Sequence, residues 1–304
     1  MRLEAGKMGR RTTDDVMSGV TMRTRLSLSV RGKRLLRELR RLRDERRMSP
    51  EDVAGQLGWH KTKLYRIERG ESRLILDDLD ELLELYGVCS PERESLFQLG
   101  KDAWKRGWWL AYRDLYQGES FFVMENDAAK ISVYAPNLLP GLLQTEDYAR
   151  ASIQAMHATG DVGEMARQLS VRIERQGILA RKSPPEVLAV LDEVVLRRTV
   201  LDKEVHRDQL NRLIELDQSP NITIQVVPFS KGVYTGQSGQ FTIFEFPDPE
   251  DAPVAYQEGL FGDVYVEDAN DVARYTLAAA RFREMALDAG ASTEFIRDLL
   301  KETG

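Results

Sequence analysis

Apolar residues between positions 35 and 86 recur at helical spacing in short blocks, and each block ends in a turn signal. Leu35, Leu39 and Leu42 share one face at i, i+4 and i+7, while Arg37, Arg40, Arg41 and Arg43 fill other positions. A second helix is predicted to open at Ser49-Pro50-Glu51-Asp52. Serine can accept from an unpaired amide, proline is pre-set for the first turn, and the acids favour the positive helix end. Val53, Ala54 and Leu57 form its buried stripe, and Gly58 should end it in the left-handed region. A third helix runs from His60, as cap, to about Arg69, with Trp59 placed to staple onto Leu64 and Gly70 closing it. A fourth spans Asp77 to Tyr86, with Leu79, Leu82, Leu83 and Tyr86 on its apolar face, and a fifth runs from Pro91 to about Lys105.

Beyond this point the pattern changes. Trp104, Trp108, Trp109, Tyr112, Tyr116, Phe121 and Phe122 crowd one stretch, as core material or as a seam between domains or copies. Helical spacing follows at 124–135, 146–158, 162–181 and 203–217. Strand-like runs occupy Val187–Leu191, Ile222–Val227, Gln240–Phe246, Val254–Gln257 and Val264–Glu267. A long helix at 269–288 and a short one capped by Ser292 end the chain. Between the blocks, Pro140-Gly141 breaks a helix and Thr145 caps the next, burying Leu142 and Leu143. The fold class implied is a mainly α N-terminal helix-turn-helix bundle of five helices, followed by a larger α+β domain with a small mixed or antiparallel sheet. The expected organisation is a flexible basic segment at 1–30, a DNA-binding domain at 31–105, and a partner- or ligand-sensing domain at 106–304.

Charge sharpens this division. The 304-residue chain carries a net charge of −6, yet residues 1–75 hold 20 Lys and Arg against 10 Asp and Glu. The remainder holds 23 against 39, a balance of −16. Displacing the counterions on nucleic-acid phosphate requires cations, which the first part supplies and the acidic remainder does not. The single cysteine, Cys89, can form no intramolecular disulfide, which fits a reducing compartment. No apolar stretch approaches the ~18 residues that span a bilayer, and the N-terminus lacks an apolar signal core. A cytoplasmic, nucleoid-associated protein without membrane contact is expected.

Candidate chemistry is sparse. Neither His157 nor His206 has a metal-ligand partner at i+4. Gly236-Gln237-Ser238-Gly239-Gln240 lacks the final glycine of a nucleophile elbow and sits where a hairpin turn is expected. Asp192-Glu193 could be an acid/base pair but reads more simply as structural, and Asp248, Glu250 and Asp251 read as a proline-bounded loop. An enzymatic reading would rest only on the mixed strands and Glu258. No catalytic, cofactor or metal site is therefore expected.

The DNA-reading constellation is much stronger. Two short helices joined by Gly58-Trp59 match the helix-turn-helix plan, and the second offers Lys61, Thr62, Lys63, Tyr65 and Arg66 off its buried stripe. Lysine and arginine can donate to guanine O6 and N7, and threonine can touch a thymine methyl. The expected DNA-binding set is Lys61, Thr62, Lys63, Tyr65, Arg66, Arg41, Ser49 and His60, with Arg41 assigned to phosphate.

Three stretches carry a resemblance: Leu39-Arg40-Arg41-Leu42-Arg43, Ser49 to Ala54, and Lys63-Leu64-Tyr65-Arg66-Ile67-Glu68-Arg69-Gly70. They resemble the phage-repressor-like, or xenobiotic-response-element, helix-turn-helix family. The resemblance implies base reading by Lys61, Thr62 and Arg66 and a structural pair between Arg43 and Glu68. Relatives often carry serine where this chain has His60 and Tyr65, which bears on the operator sequence and not on the fold.

A second resemblance lies in Leu138 to Thr145 with Tyr148-Ala149-Arg150, in Val171-Arg172-Ile173 with Arg175-Gln176, and in Val254 to Glu258. These are similar to an uncharacterised actinomycete domain that follows such helix-turn-helix units in antitoxin-like regulators of the Scr type and in WhiJ-like developmental regulators. It implies a small partner protein, often encoded nearby, that alters DNA binding. The leading expectation is a homodimer on a palindromic double-stranded operator, with its output set by that partner. The alternative is a one-component regulator whose second domain senses a small molecule.

Overall fold

The computed structural model describes residues 30–103, 108–112, 114–115, 120–156, 161–199, 202–234, 236, 239–259 and 263–303. The basic segment at 1–29 lies outside the described residues, as do Trp104, Lys105, Tyr116, His157, and Gln237 and Ser238 of the expected hairpin turn.

Five helices form the N-terminal bundle: α1 (Val30–Glu45), α2 (Pro50–Gln56), α3 (Lys61–Glu68), α4 (Leu76–Leu85) and α5 (Glu92–Ala103). Their apolar stripes meet in one core of Leu35, Leu39, Leu42, Val53, Leu64, Ile67, Leu79, Leu82, Leu83 and Tyr86. Gly58 stops α2 with φ of 65°, a conformation costly for a residue with a Cβ, and so turns the chain into α3.

The second domain is built on a six-stranded mixed sheet. Its strands are β1 (Lys130–Ala135), β2 (Glu186–Asp192), β3 (Ile222–Val227), β4 (Phe241–Glu245), β5 (Val254–Gln257) and β6 (Val264–Val266), in the order β3-β2-β1-β4-β5-β6. The first three are parallel, and the last three add antiparallel beyond β1. The helices are α6 (Ser120–Asp127), α7 (Glu146–Met156), α8 (Val162–Gln176), α9 (Glu193–Arg197), α10 (Lys203–Leu216), α11 (Ala269–Met285) and α12 (Ala289–Thr303). The crossover helices needed to return a parallel strand are α7 and α8 after β1, and α9 and α10 after β2. Period-two alternation sends Ile131, Val133, Val187, Ala189, Ile224 and Val226 to one face, against α10 and α12. Tyr134, Val190, Val227, Phe241 and Ile243 point to the other face, which α11 covers through Phe282.

Three local readings differ from this structure. Residues 124–135 are not one helix: α6 ends at Asp127, and Lys130–Ala135 is the strand between β2 and β4. The segment is paired along its whole length with β2 and from Lys130 to Tyr134 with β4, so its backbone groups find partners in the sheet, an advantage invisible in its own spacing. The helix expected over 162–181 ends at Gln176 and gives way to a 3-10 turn at Gly177–Ala180. Ser292 does not begin a helix but lies buried inside α12, where its Oγ accepts from Val226 N at 3.0 Å. Together with Leu287 N donating to Val226 O at 2.8 Å, this seals the outer edge of β3 against further strands. Among the described aromatics, Trp108, Trp109, Tyr112, Phe121 and Phe122 pack with Val171 as core, and Phe121 continues onto Phe244 and Tyr256 of the sheet.

Candidate nucleic-acid interface

The surface that α3 presents is set by how its ends are held. Ser49 begins α2 with a capping box: its Oγ accepts from Asp52 N at 3.1 Å, and its own N donates to Asp52 Oδ2 at 2.9 Å. His60 begins α3, with Nδ1 accepting from Thr62 N at 3.4 Å and lying 2.9 Å from Thr62 Oγ1. At the far end Arg43 of α1 grips Glu68 of α3, Nε to Oε1 at 2.7 Å, and also donates to Met48 O at 3.0 Å. The hydrogen bond from Glu68 raises the Arg43 pKa against the lowering effect of burial. The pair that the resemblance implied is thus present and fixes α3 on α1.

The eight expected DNA contacts sort by what already occupies them. Lys61, Tyr65 and Arg66 are exposed on α3 and make no side-chain bond among the described residues. Thr62 is exposed beside them, its hydroxyl on His60. His60 and Ser49 lie at the two helix N-termini, where amides and helix dipole favour phosphate. Lys63 and Arg41 depart from the expectation of free cations. Lys63 Nζ sits 2.6 Å from Asp78 Oδ1 and 3.8 Å above the Trp59 ring, because α4 turns an acidic face toward α3. Trp59, expected only as an apolar staple, donates its Nε1–H to Glu81 Oε2 at 2.9 Å. Arg41 is held by Glu38 at 2.8 Å, Glu45 at 2.6 Å and Glu92 at 2.9 Å, and the first two raise its pKa.

Sequence reasoning missed a joint between the domains. Along the N-terminal half of α1, Lys33 pairs with Glu267, Arg34 with Asp248, and Arg37 with Asp251 at 3.2 Å. The loop read as a bland acidic turn is therefore the socket for the basic helix. The Asp251 side chain is only 7% exposed, so this contact is screened by salt less than a surface pair. The available signal was charge complementarity, which names the two regions but not the pairs.

Within the second domain the carboxylate pair is committed to the fold. Asp192 accepts from Tyr234 OH at 2.6 Å and caps α9 through Val194 N at 2.9 Å, while Glu193 accepts from Phe229 N at 2.7 Å and from Arg197. His206 is buried with Nδ1 unpaired. The motif around Leu138–Thr145 is stitched by amides. Gln144 Nε2 donates to Leu139 O at 2.8 Å and its Oε1 accepts from Arg172 at 2.9 Å, while Gln209 receives Thr145 N at 2.7 Å. A cavity of about 520 Å³ opens between α11 and the sheet. Among the described residues no group of acidic, histidine and cysteine side chains is placed to hold a metal ion, and no helix is long and apolar enough to cross a membrane.

Comparison with known families bears on both halves. Residues 34–96 match a helix-turn-helix domain, which makes the chain a DNA-binding regulator. No curated protein and no solved structure matches the chain. Residues 119–298, more than half the chain, match a domain of unknown function, DUF5753, and the protein therefore belongs to the DUF5753 family, with a helix-turn-helix domain in front.

Proposed function

We propose that this protein is a sequence-specific, repressor-like transcriptional regulator that binds a palindromic operator as a homodimer and whose α+β domain adjusts its grip on DNA. The observation that carries the reading is the state of α3. Lys61, Tyr65 and Arg66 stand exposed, and unpartnered among the described residues, on a short helix that the Arg43–Glu68 pair locks from beneath. Unpaired donors on a rigid helix are what major-groove readout needs, since base contacts specify only when phosphate contacts and packing fix the register. Selection of bound duplexes from a random pool tests this. A palindromic consensus with half-sites about one helical turn apart is expected, relaxed at one base pair of each half-site by Arg66→Ala. A pool that remains random through selection overturns sequence-specific binding.

The input to the second domain is read from resemblance. The likeness to Scr-type antitoxin-like and WhiJ-like regulators supports a small partner protein encoded nearby, and the −16 balance suits a basic or polar partner surface. Co-purification with the product of the adjacent small open reading frame tests it. The cavity beneath α11 favours a second reading, a one-component regulator that senses a small molecule.

A further inference from the structure

We infer that the cavity between α11 and the sheet is an effector site for a small neutral or zwitterionic organic molecule with an apolar body and a hydrogen-bond donor, and that its occupancy reaches α3 through α1. This rests on the second reading above. The volume, about 520 Å³, falls within the range of small-molecule sites. Leu188 and Val190 of β2, Ile243 of β4 and Phe282 of α11 give it an apolar lining. Gln225 lines it too and is 8% exposed; its Nε2 donates to Leu287 O at 2.8 Å, and its Oε1 is buried without a partner. A buried acceptor left unpaired is costly, so the site favours a molecule that brings a donor. The rim carries Lys130 and Arg283 against Glu245 and Glu284, a balanced set that gives no net attraction to polyanions such as nucleotides.

What makes this cavity a control site is where its walls lead. β4 contributes Ile243 and Glu245 and runs directly into the loop holding Asp248 and Asp251, while α11 contributes Thr276 and Phe282 and begins just after Glu267. Those three carboxylates grip α1 through Arg34, Arg37 and Lys33. A molecule that wedges α11 away from β4 shifts Glu267 against Asp248 and Asp251, and a rigid α1 cannot follow both. That strain is the differential interaction a ligand needs in order to shift a conformational equilibrium. The other end of α1 carries Arg43, which holds Glu68 of the reading helix.

A covalent occupant tests the inference in the full-length chain. Cys89 is the single cysteine and is exposed, so Cys89→Ser with Ser132→Cys leaves one thiol, on the cavity wall, for N-phenylmaleimide to alkylate. The native protein should react stoichiometrically, amide exchange along α1 should change, and Kd for duplex DNA should shift by about 5- to 150-fold. The same label on Arg274→Cys, on the solvent face of α11, should change neither. Ala280→Trp, which fills the cavity from its exposed rim, should move exchange in α1 in the same direction and covers a failure of the first variant to fold. A thiol at Ser132→Cys that stays unreactive in the native state, or a filled cavity with unchanged α1 exchange, overturns the inference. Unlabelled protein that binds no duplex strikes the DNA-binding reading instead, since α1 exchange still reports the coupling.

Discussion

Arg43 and Glu68 meet inside the helical bundle in a two-point pair, Nε to Oε1 at 2.7 Å and Nη2 to Oε2 at 3.2 Å, with side chains 13% and 11% exposed. Twenty-five residues apart, they tie α1 to α3. Removing one partner strands a charge in a poorly solvated place, a loss larger than the net worth of the pair. Arg43→Met and Glu68→Leu should each destabilise the bundle. The double variant should recover ~0.5–3 kcal/mol relative to the sum. Urea denaturation of all four proteins reads this, and strict additivity would refute a coupled pair.

Arg66 and Lys63 sit three residues apart on α3, yet their substitutions should behave differently. Arg66→Ala removes an unpartnered donor and should cost ~1–3 kcal/mol on the selected operator while relaxing one base pair. Lys63→Ala instead leaves Asp78 without its cation and Trp59 without its stacked charge. Its main effect should be on the thermal midpoint of the bundle, with base preference retained. Competition titrations on operator and scrambled duplexes, beside thermal melts, separate the two.

Neutralising the socket should loosen the domains. Asp248→Asn, Asp251→Asn and Glu267→Gln together release Lys33, Arg34 and Arg37 from the second domain. Limited proteolysis between the domains should then accelerate. If the freed cations reach phosphate, the salt slope of DNA binding should steepen by up to about 0.9 for each. An unchanged cleavage rate would mean that the ion pairs do not hold the joint.

His206 makes stability depend on pH. Burial lowers its pKa below the ordinary 6.5, against a smaller raising effect from its hydrogen bond to the Leu196 backbone. The unfolded chain therefore binds the proton first as pH falls, and the folded state prefers neutral imidazole. This contribution is fully present above pH 6.5 and is lost as pH falls from there through the lower folded value. Chemical denaturation at pH 7.5 and pH 5.5 should show the loss in the wild type and less of it in His206→Gln. Equal losses in the two proteins would assign the effect to other groups.

Phe122 tests whether the aromatic cluster is core of the second domain. It is 5% exposed among Trp108, Trp109 and Val171, so Phe122→Ala should cost ~3–5 kcal/mol. The loss should appear in the transition of the α+β domain and spare the helical bundle. Calorimetry resolves the two, and a lowered bundle transition with an unchanged second one would place the cluster at the seam.

The sequence by itself determined the helix-turn-helix bundle. The cap at Ser49, the left-handed stops at Gly58 and Gly70, and the spacing of Leu35, Leu39, Leu64 and Ile67 are local signals, set within a few residues by backbone sterics and side-chain periodicity. Strands such as Ile222–Val227 were legible for the same reason. Tertiary structure alone decided the rest. Lys130–Ala135 became a strand because both its edges are paired, with β2 and with β4, at segments far along the chain. Lys63 lost its apparent freedom to Asp78, which α4 happens to present. The socket on α1 joins residues more than 200 positions apart, as in Arg37 with Asp251. Propensity and pattern act over one or two turns, whereas a charge finds its partner only after the chain has closed, when burial and geometry choose among many carboxylates of equal sequence merit.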